Sequence, residues 1–106
     1  MNDMSAQLTS VKRTRMVEVF SRFDAIESVV LFGSRALGTA RANSDIDLAI
    51  KGADIDATTP FKLATQLDDL LIPNEIDLVV YDRIQNDALR EHIDRHGVEV
   101  YWKHET

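Results

Sequence analysis

The chain has no cysteine among its 106 residues. That excludes disulfides, zinc–thiolate sites and thiol nucleophiles, and it fits a cytoplasmic setting. Positive charge is also scarce: 12 Lys and Arg stand against 18 Asp and Glu, for a net charge of −6. Such a chain gains little non-specific attraction to a polyphosphate backbone, so nucleic acid is not expected as a direct partner. No apolar run approaches the ~18 residues that a membrane-spanning helix needs. The opening MNDMSAQLTS has neither the basic nor the apolar region of a signal peptide. Repeats, low-complexity tracts and linkers are missing too. What remains is 44% apolar, enough for a folded core, at a length that suits a single domain over 1–106.

Helical spacing of Leu8, Val11, Met16, Val19, Phe20 and Phe23 predicts an amphipathic helix over residues 5–22. Lys12, Arg13, Arg15 and Arg22 fall on its other face, either solvated or set against phosphates or an acidic partner. Residues 26–32 read as a strand, buried on both faces towards its end. A short helix follows Gly33-Ser34 and stops at Gly38, and residues 45–50 form the next strand. After a polar loop, Thr59 is the expected N-cap and Pro60 the first residue of a helix. Phe61, Ala64, Leu67, Leu70 and Leu71 share one face of that helix, and Pro73-Asn74 stops it. Ile76, Leu78 and Val80 alternate into a third strand with Asp77 near its start. A polar helix over 83–96 carries a Glu91–Arg95 pair at i,i+4, Gly97 closes it, and Val98 to Trp102 supplies a last strand. The expected class is α/β (α+β), a small mixed sheet of about four strands packed with helices. Strand direction between the first two strands is left open by their short connection.

The organising stretch is Val29–Ile50, VVLFGSRALGTARANSDIDLAI. Asp45 and Asp47 are two apart on a strand, so both side chains leave one face while Ile46, Leu48 and Ile50 enter the core. Two carboxylates so placed suit one hard cation or a bridged pair, and in-line phosphoryl displacement uses such ions. Mg²⁺ takes one or two carboxylates plus substrate phosphates, which matches a sparse ligand set. Gly33-Ser34 is the complementary half: glycine lets backbone N–H groups approach a phosphate, and the serine hydroxyl adds a donor. Arg35 or Arg41 could neutralise phosphate charge. Asp77 is the third carboxylate, able to ligate metal and to accept a proton from an attacking hydroxyl. Gly33 to Gly38 has P-loop spacing, but Thr39-Ala40 stand where Lys-Ser/Thr is required. Asp54-Ile55-Asp56 repeats the triplet in a polar loop, with no apolar alternation to fix its face. His92 and His96 are i,i+4 and lack a third zinc ligand. Tyr81, Tyr101 and Trp102 could stack on a base, but their strand positions favour packing.

Gly33-Ser34, ten intervening residues and Asp45-x-Asp47 together resemble the signature of the DNA polymerase β-like nucleotidyltransferases. GSRALG followed by SDIDLAI is most similar to the minimal nucleotidyltransferases (MNT) of prokaryotes, among them the MntA-type antitoxins of HEPN/MNT toxin–antitoxin systems. The resemblance runs from the first helix to the last strand. It implies the polymerase β-like fold, triphosphate binding by Gly33 and Ser34, and Mg²⁺, as two ions, held by Asp45, Asp47 and Asp77. Many relatives carry a basic residue where this chain has Leu37. The resemblance further implies ATP as substrate, pyrophosphate as product and a HEPN ribonuclease toxin as partner, silenced by transfer of AMP to a tyrosine. A chain this short leaves little material for an acceptor pocket, which places the acceptor on another polypeptide. Two alternatives stay open: a subunit that modifies RNA or an aminoglycoside, and an antitoxin that acts by contact alone.

Overall fold

The computed structural model describes residues 9–104. Leu8 and the rest of the segment before Thr9 that belonged to the expected first helix lie outside them. The element order is α1 (Ser10–Phe20), β1 (Ser28–Phe32), α2 (Ser34–Leu37), β2 (Ile46–Lys51), α3 (Thr59–Asp68), β3 (Ile76–Val80), a 3-10 turn (Tyr81–Arg83), α4 (Asp87–His96) and β4 (Val98–Trp102). One four-stranded sheet has the order β3-β2-β1-β4. β1 is antiparallel to both β2 and β4, whereas β2 and β3 are parallel. The sheet is therefore mixed, as expected, and the open question of direction is settled: the β1–β2 connection makes an antiparallel pair, while α3 supplies the long crossover that a parallel pair requires.

Both sheet faces are covered. Ile46, Leu48 and Ile50 of β2 join Val29 and Leu31 of β1 beneath α1 and α3, where Met16, Val19, Phe20, Leu63 and Leu67 close the larger core. Val30, Phe32 and Ala49 point the other way, into a smaller core closed by Ile84 and Ile93 beside α4. This explains why all five residues of β1 are buried. Asp47 alternates with Ile46 and Leu48, so it leaves the α4 face of the sheet.

Several local expectations are corrected. α3 buries Thr59, Leu63 and Leu67, while Phe61 is 76% and Leu71 85% exposed. The i,i+4 row through 59, 63 and 67 wins the core, and Leu71 lies beyond the helix at φ 57°. Val11 likewise faces outwards. Thr59 does not cap α3. Asp56 does that work, its Oδ1 accepting from the Thr58 and Thr59 amides, both at 2.9 Å, and from both hydroxyls. Asp56 is thus a structural carboxylate, and Ile55 between the two acids is buried. The last helix begins at Asp87 rather than 83, because the Asn86 side chain caps it through the Leu89 amide.

The basic residues of α1 and the turn after it are hydrogen-bonded within the chain. Lys12 reaches Asn74 Oδ1 at 2.7 Å, Arg13 the Val100 carbonyl, Arg15 the Leu70 carbonyl and Arg22 Gln66. These contacts tie α1 to the end of α3 and to β4. The expected Glu91–Arg95 pair forms at 3.2 Å on an exposed surface, where it contributes little. Tyr101 packs on Phe20, and Tyr81 donates to Asp94 with Lys51 over its ring. Both tyrosines serve packing. Among the described residues, no helix is long and apolar enough to cross a membrane.

Candidate functional site

β1 runs into the site and β2 and β3 run out of it. Register places Asp47 opposite Phe32 on one side and opposite Asp77 on the other. Parallel neighbours lie ~4.8 Å apart, so Asp47 and Asp77 stand side by side on the α4 face. Asp45 precedes β2 and is exposed, as is Asp77; Asp47 is half-buried. The carboxyl of Asp47 is pushed above its ordinary value of 3.8 by burial first, then by repulsion from Asp77 and Asp45 and a hydrogen bond with Asp77, with Arg35 acting in the opposite sense. Both of the other acids named from sequence therefore act electrostatically on Asp47. A cation between them would relieve that repulsion. Among the described residues no group of three His, Cys, Asp or Glu side chains is already gathered to hold a metal ion.

Gly33 forms the other wall. It sits at φ 78°, ψ −153°, a conformation open essentially to glycine alone. A Cβ added there would land on the Asp47 carboxylate. The turn thus brings backbone directly against the central acid. Its carbonyl accepts from the amides of Ala36 and Leu37 at 3.1 and 3.2 Å, and its N–H donates to His92 Nε2 at 2.9 Å. α2 is a single turn, Ser34–Leu37, closed by Gly38 in the left-handed region. A helix this short adds little macrodipole.

The two arginines part company. Arg41 is exposed on the loop before Asp45. Arg35 is 6% exposed, with Nε on the Asp45 carbonyl at 3.2 Å and Nη2 on those of Ser44, Arg41 and Ala42 at 2.9–3.3 Å. Those bonds make it a clamp on the loop that presents Asp45, in place of the surface phosphate contact expected of it. Asn74, read from sequence only as part of a helix stop, is buried and clamps the same loop through Ala42 and Ser44 at 2.7 and 3.0 Å. His92, on the polar face of its helix and one of the i,i+4 histidine pair, touches the Gly33 turn. No local spacing announces either contact, since Asn74 and His92 lie 30 and 59 residues from their partners.

A cleft of about 400 Å³ between α3 and β3, lined by Leu67, Ile72, Ile76 and Leu78 among others, opens on the opposite face of the sheet. It has no part in the acid cluster. The sequence profile described as "Polymerase beta, Nucleotidyltransferase" matches residues 14–106. The chain belongs to the polymerase beta nucleotidyltransferase family. Solved structures agree with this nucleotidyltransferase in fold. A chain of a toxin–antitoxin complex crystallised with AMP-PNP is 26% identical with a TM-score of 0.70, covering 87% of this chain and 74% of its own. A chain from the complex of tri-AMPylated Shewanella oneidensis HEPN toxin with MNT antitoxin is 21% identical, TM-score 0.66, covering 87% and 71%. A putative nucleotidyltransferase from Sulfolobus solfataricus is 24% identical, TM-score 0.56, covering 97% and 89%. Among curated protein sequences there is no significant match. Two further chains, from the MntA-HepT toxin-antitoxin complex and from Shewanella oneidensis, share the fold at 22% and 19% identity.

Proposed function

We propose that the chain neutralises a cognate HEPN-domain toxin by transferring AMP from ATP to a toxin tyrosine, with release of pyrophosphate. The observation that carries this reading is Asp47: in register with Asp77, repelled by Asp45 and pressed by Gly33. One place thus offers hard oxygen ligands and a backbone turn that phosphate can approach. The Gly33-Ser34 turn would receive the triphosphate, Gly33 by letting it approach the backbone and Ser34 by its hydroxyl, and Asp45, Asp47 and Asp77 would hold Mg²⁺. Bound there, Mg²⁺ supplies charge stabilisation for the attacking and leaving oxygens. Asp77, exposed at the head of β3, accepts the proton of the incoming hydroxyl. The hydroxyl oxygen bonds to the α-phosphorus as the bond from that phosphorus to the bridging oxygen breaks, and pyrophosphate departs. Arg35 and Asn74 act indirectly, by fixing the loop ahead of Asp45.

The partner assignment is supported by the solved toxin–antitoxin complexes that share this fold, one crystallised with AMP-PNP and one with AMPylated toxin. Acidity agrees with a protein acceptor over RNA, given the net charge of −6. The test is to incubate the chain with ATP, Mg²⁺ and the HEPN protein encoded beside it, then weigh that protein. The expected result is a mass gain of one or more AMP units. An unchanged mass under conditions where the pair associates contradicts the reading.

A further inference from the structure

His92, on α4, meets the turn at Gly33. Its Nε2 accepts the Gly33 N–H at 2.9 Å, which requires that nitrogen to be bare and places any ring proton of the neutral form on Nδ1. The ring stands edge-on to Phe32 at 6.1 Å between centroids and beside His96 at 5.5 Å. Its neighbour Ile93 is 2% exposed, packed with Leu89 in the smaller core, so the helix that carries His92 is anchored under the sheet. α4 is therefore a fixed post, and Gly33 is tied to it.

Why a tie is needed follows from glycine itself. Gly33 has the widest conformational freedom of any residue, yet the site needs it at φ 78°, against Asp47. Its carbonyl is fixed from one side by Ala36 and Leu37. His92 fixes its N–H from the other. We propose that His92 is a positioning residue of the donor site: by holding the Gly33 peptide it sets the orientation in which Ser34 meets the donor phosphates. The Gly33 N–H is thereby spoken for, and phosphate recognition falls to Ser34 and the backbone that follows it. An aromatic or aliphatic side chain would fill the same space against Phe32 but could not accept the N–H, so packing alone does not replace it.

This inference rests on the donor-site reading above. Calorimetric binding of ATP and, separately, AMP in the presence of Mg²⁺ is measured for the full chain, for His92→Ala and for His92→Gln, whose side-chain carbonyl can still accept. Loss of one such hydrogen bond raises the ATP Kd roughly fivefold in His92→Ala, shifts the Gly33 amide resonance of isotope-labelled chain, and leaves AMP affinity nearly as it was. His92→Gln restores most of the ATP affinity. An ATP Kd unchanged in His92→Ala, or ATP and AMP weakened alike with no rescue by Gln, overturns the inference while the donor-site reading stands. Failure of the unsubstituted chain to bind ATP removes both.

Discussion

Asp47 is where the electrostatics concentrate. Its raised pKa means that the folded state binds the proton more tightly than the unfolded chain. Stability contributed by this group therefore falls as pH rises from the ordinary value of 3.8 through the raised folded one. At neutral pH the ionised carboxylate is held against repulsion. Asp47→Asn should thus raise the thermal midpoint in metal-free buffer, and it should lose the further rise that Mg²⁺ gives the unsubstituted chain. A scan with and without Mg²⁺ checks both; a lower midpoint in metal-free buffer contradicts the repulsion. Because metal binding needs the carboxylate, Mg²⁺ affinity should decline on acidification at a higher pH than an isolated aspartate would give. Gly33→Ala makes the opposite experiment. The new Cβ meets Asp47 in a conformation that alanine rarely adopts, which costs about 1–3 kcal/mol. Nucleotide binding should be lost beyond what the stability loss explains, read by calorimetry at a temperature where the variant stays folded.

Among the elements, α3 depends on a carboxylate outside it. Asp56 gathers two amides and two hydroxyls, and these bonds lower its pKa to about 2. That contribution is present above 3.8 and is lost as pH falls towards about 2. Asp56→Ala should lower the midpoint by roughly 4–8 °C at neutral pH, and the deficit should shrink in acid; an equal deficit at both pH values contradicts the capping role. This carboxylate also shows how legible each level was. Strands and helices announced themselves through local periodicity, and the catalytic candidates lie on the two strands and the turn that the sequence marks most strongly. Asp54 and Asp56 were separable from Asp45 and Asp47 because only Asp45 and Asp47 lead into a strand alternating through Ile46, Leu48 and Ile50, whereas Ile55 stands alone in a loop. What escaped was tertiary: the capping acid, the choice of Leu63 over Phe61 as the buried face, and the clamps from Arg35, Asn74 and His92. Each depends on which segment crosses which, and no window of residues contains that. Arg35 stands two positions from Gly33 in the sequence, so adjacency suggested phosphate while burial assigned it to carbonyls.

Over the whole molecule, the mixed sheet does one job for function: it turns residues 33, 47 and 77, far apart in the chain, into neighbours at one end. The antiparallel β1–β2 pair brings the turn to the acid, and the parallel β2–β3 pair brings acid to acid. The clamped loop and the α4 post hold both halves still from outside the strands. The site lies at open strand ends. Catalysis by this site is the central claim, and ATP labelled at the α-phosphate tests it most directly. The chain, its neighbouring HEPN protein and Mg²⁺ should retain the α-label on the HEPN protein, and ATP labelled at the γ-phosphate should leave none there. The double variant Asp45→Asn, Asp47→Asn should transfer nothing while still binding the partner. Undiminished α-label transfer by the double variant would contradict the account.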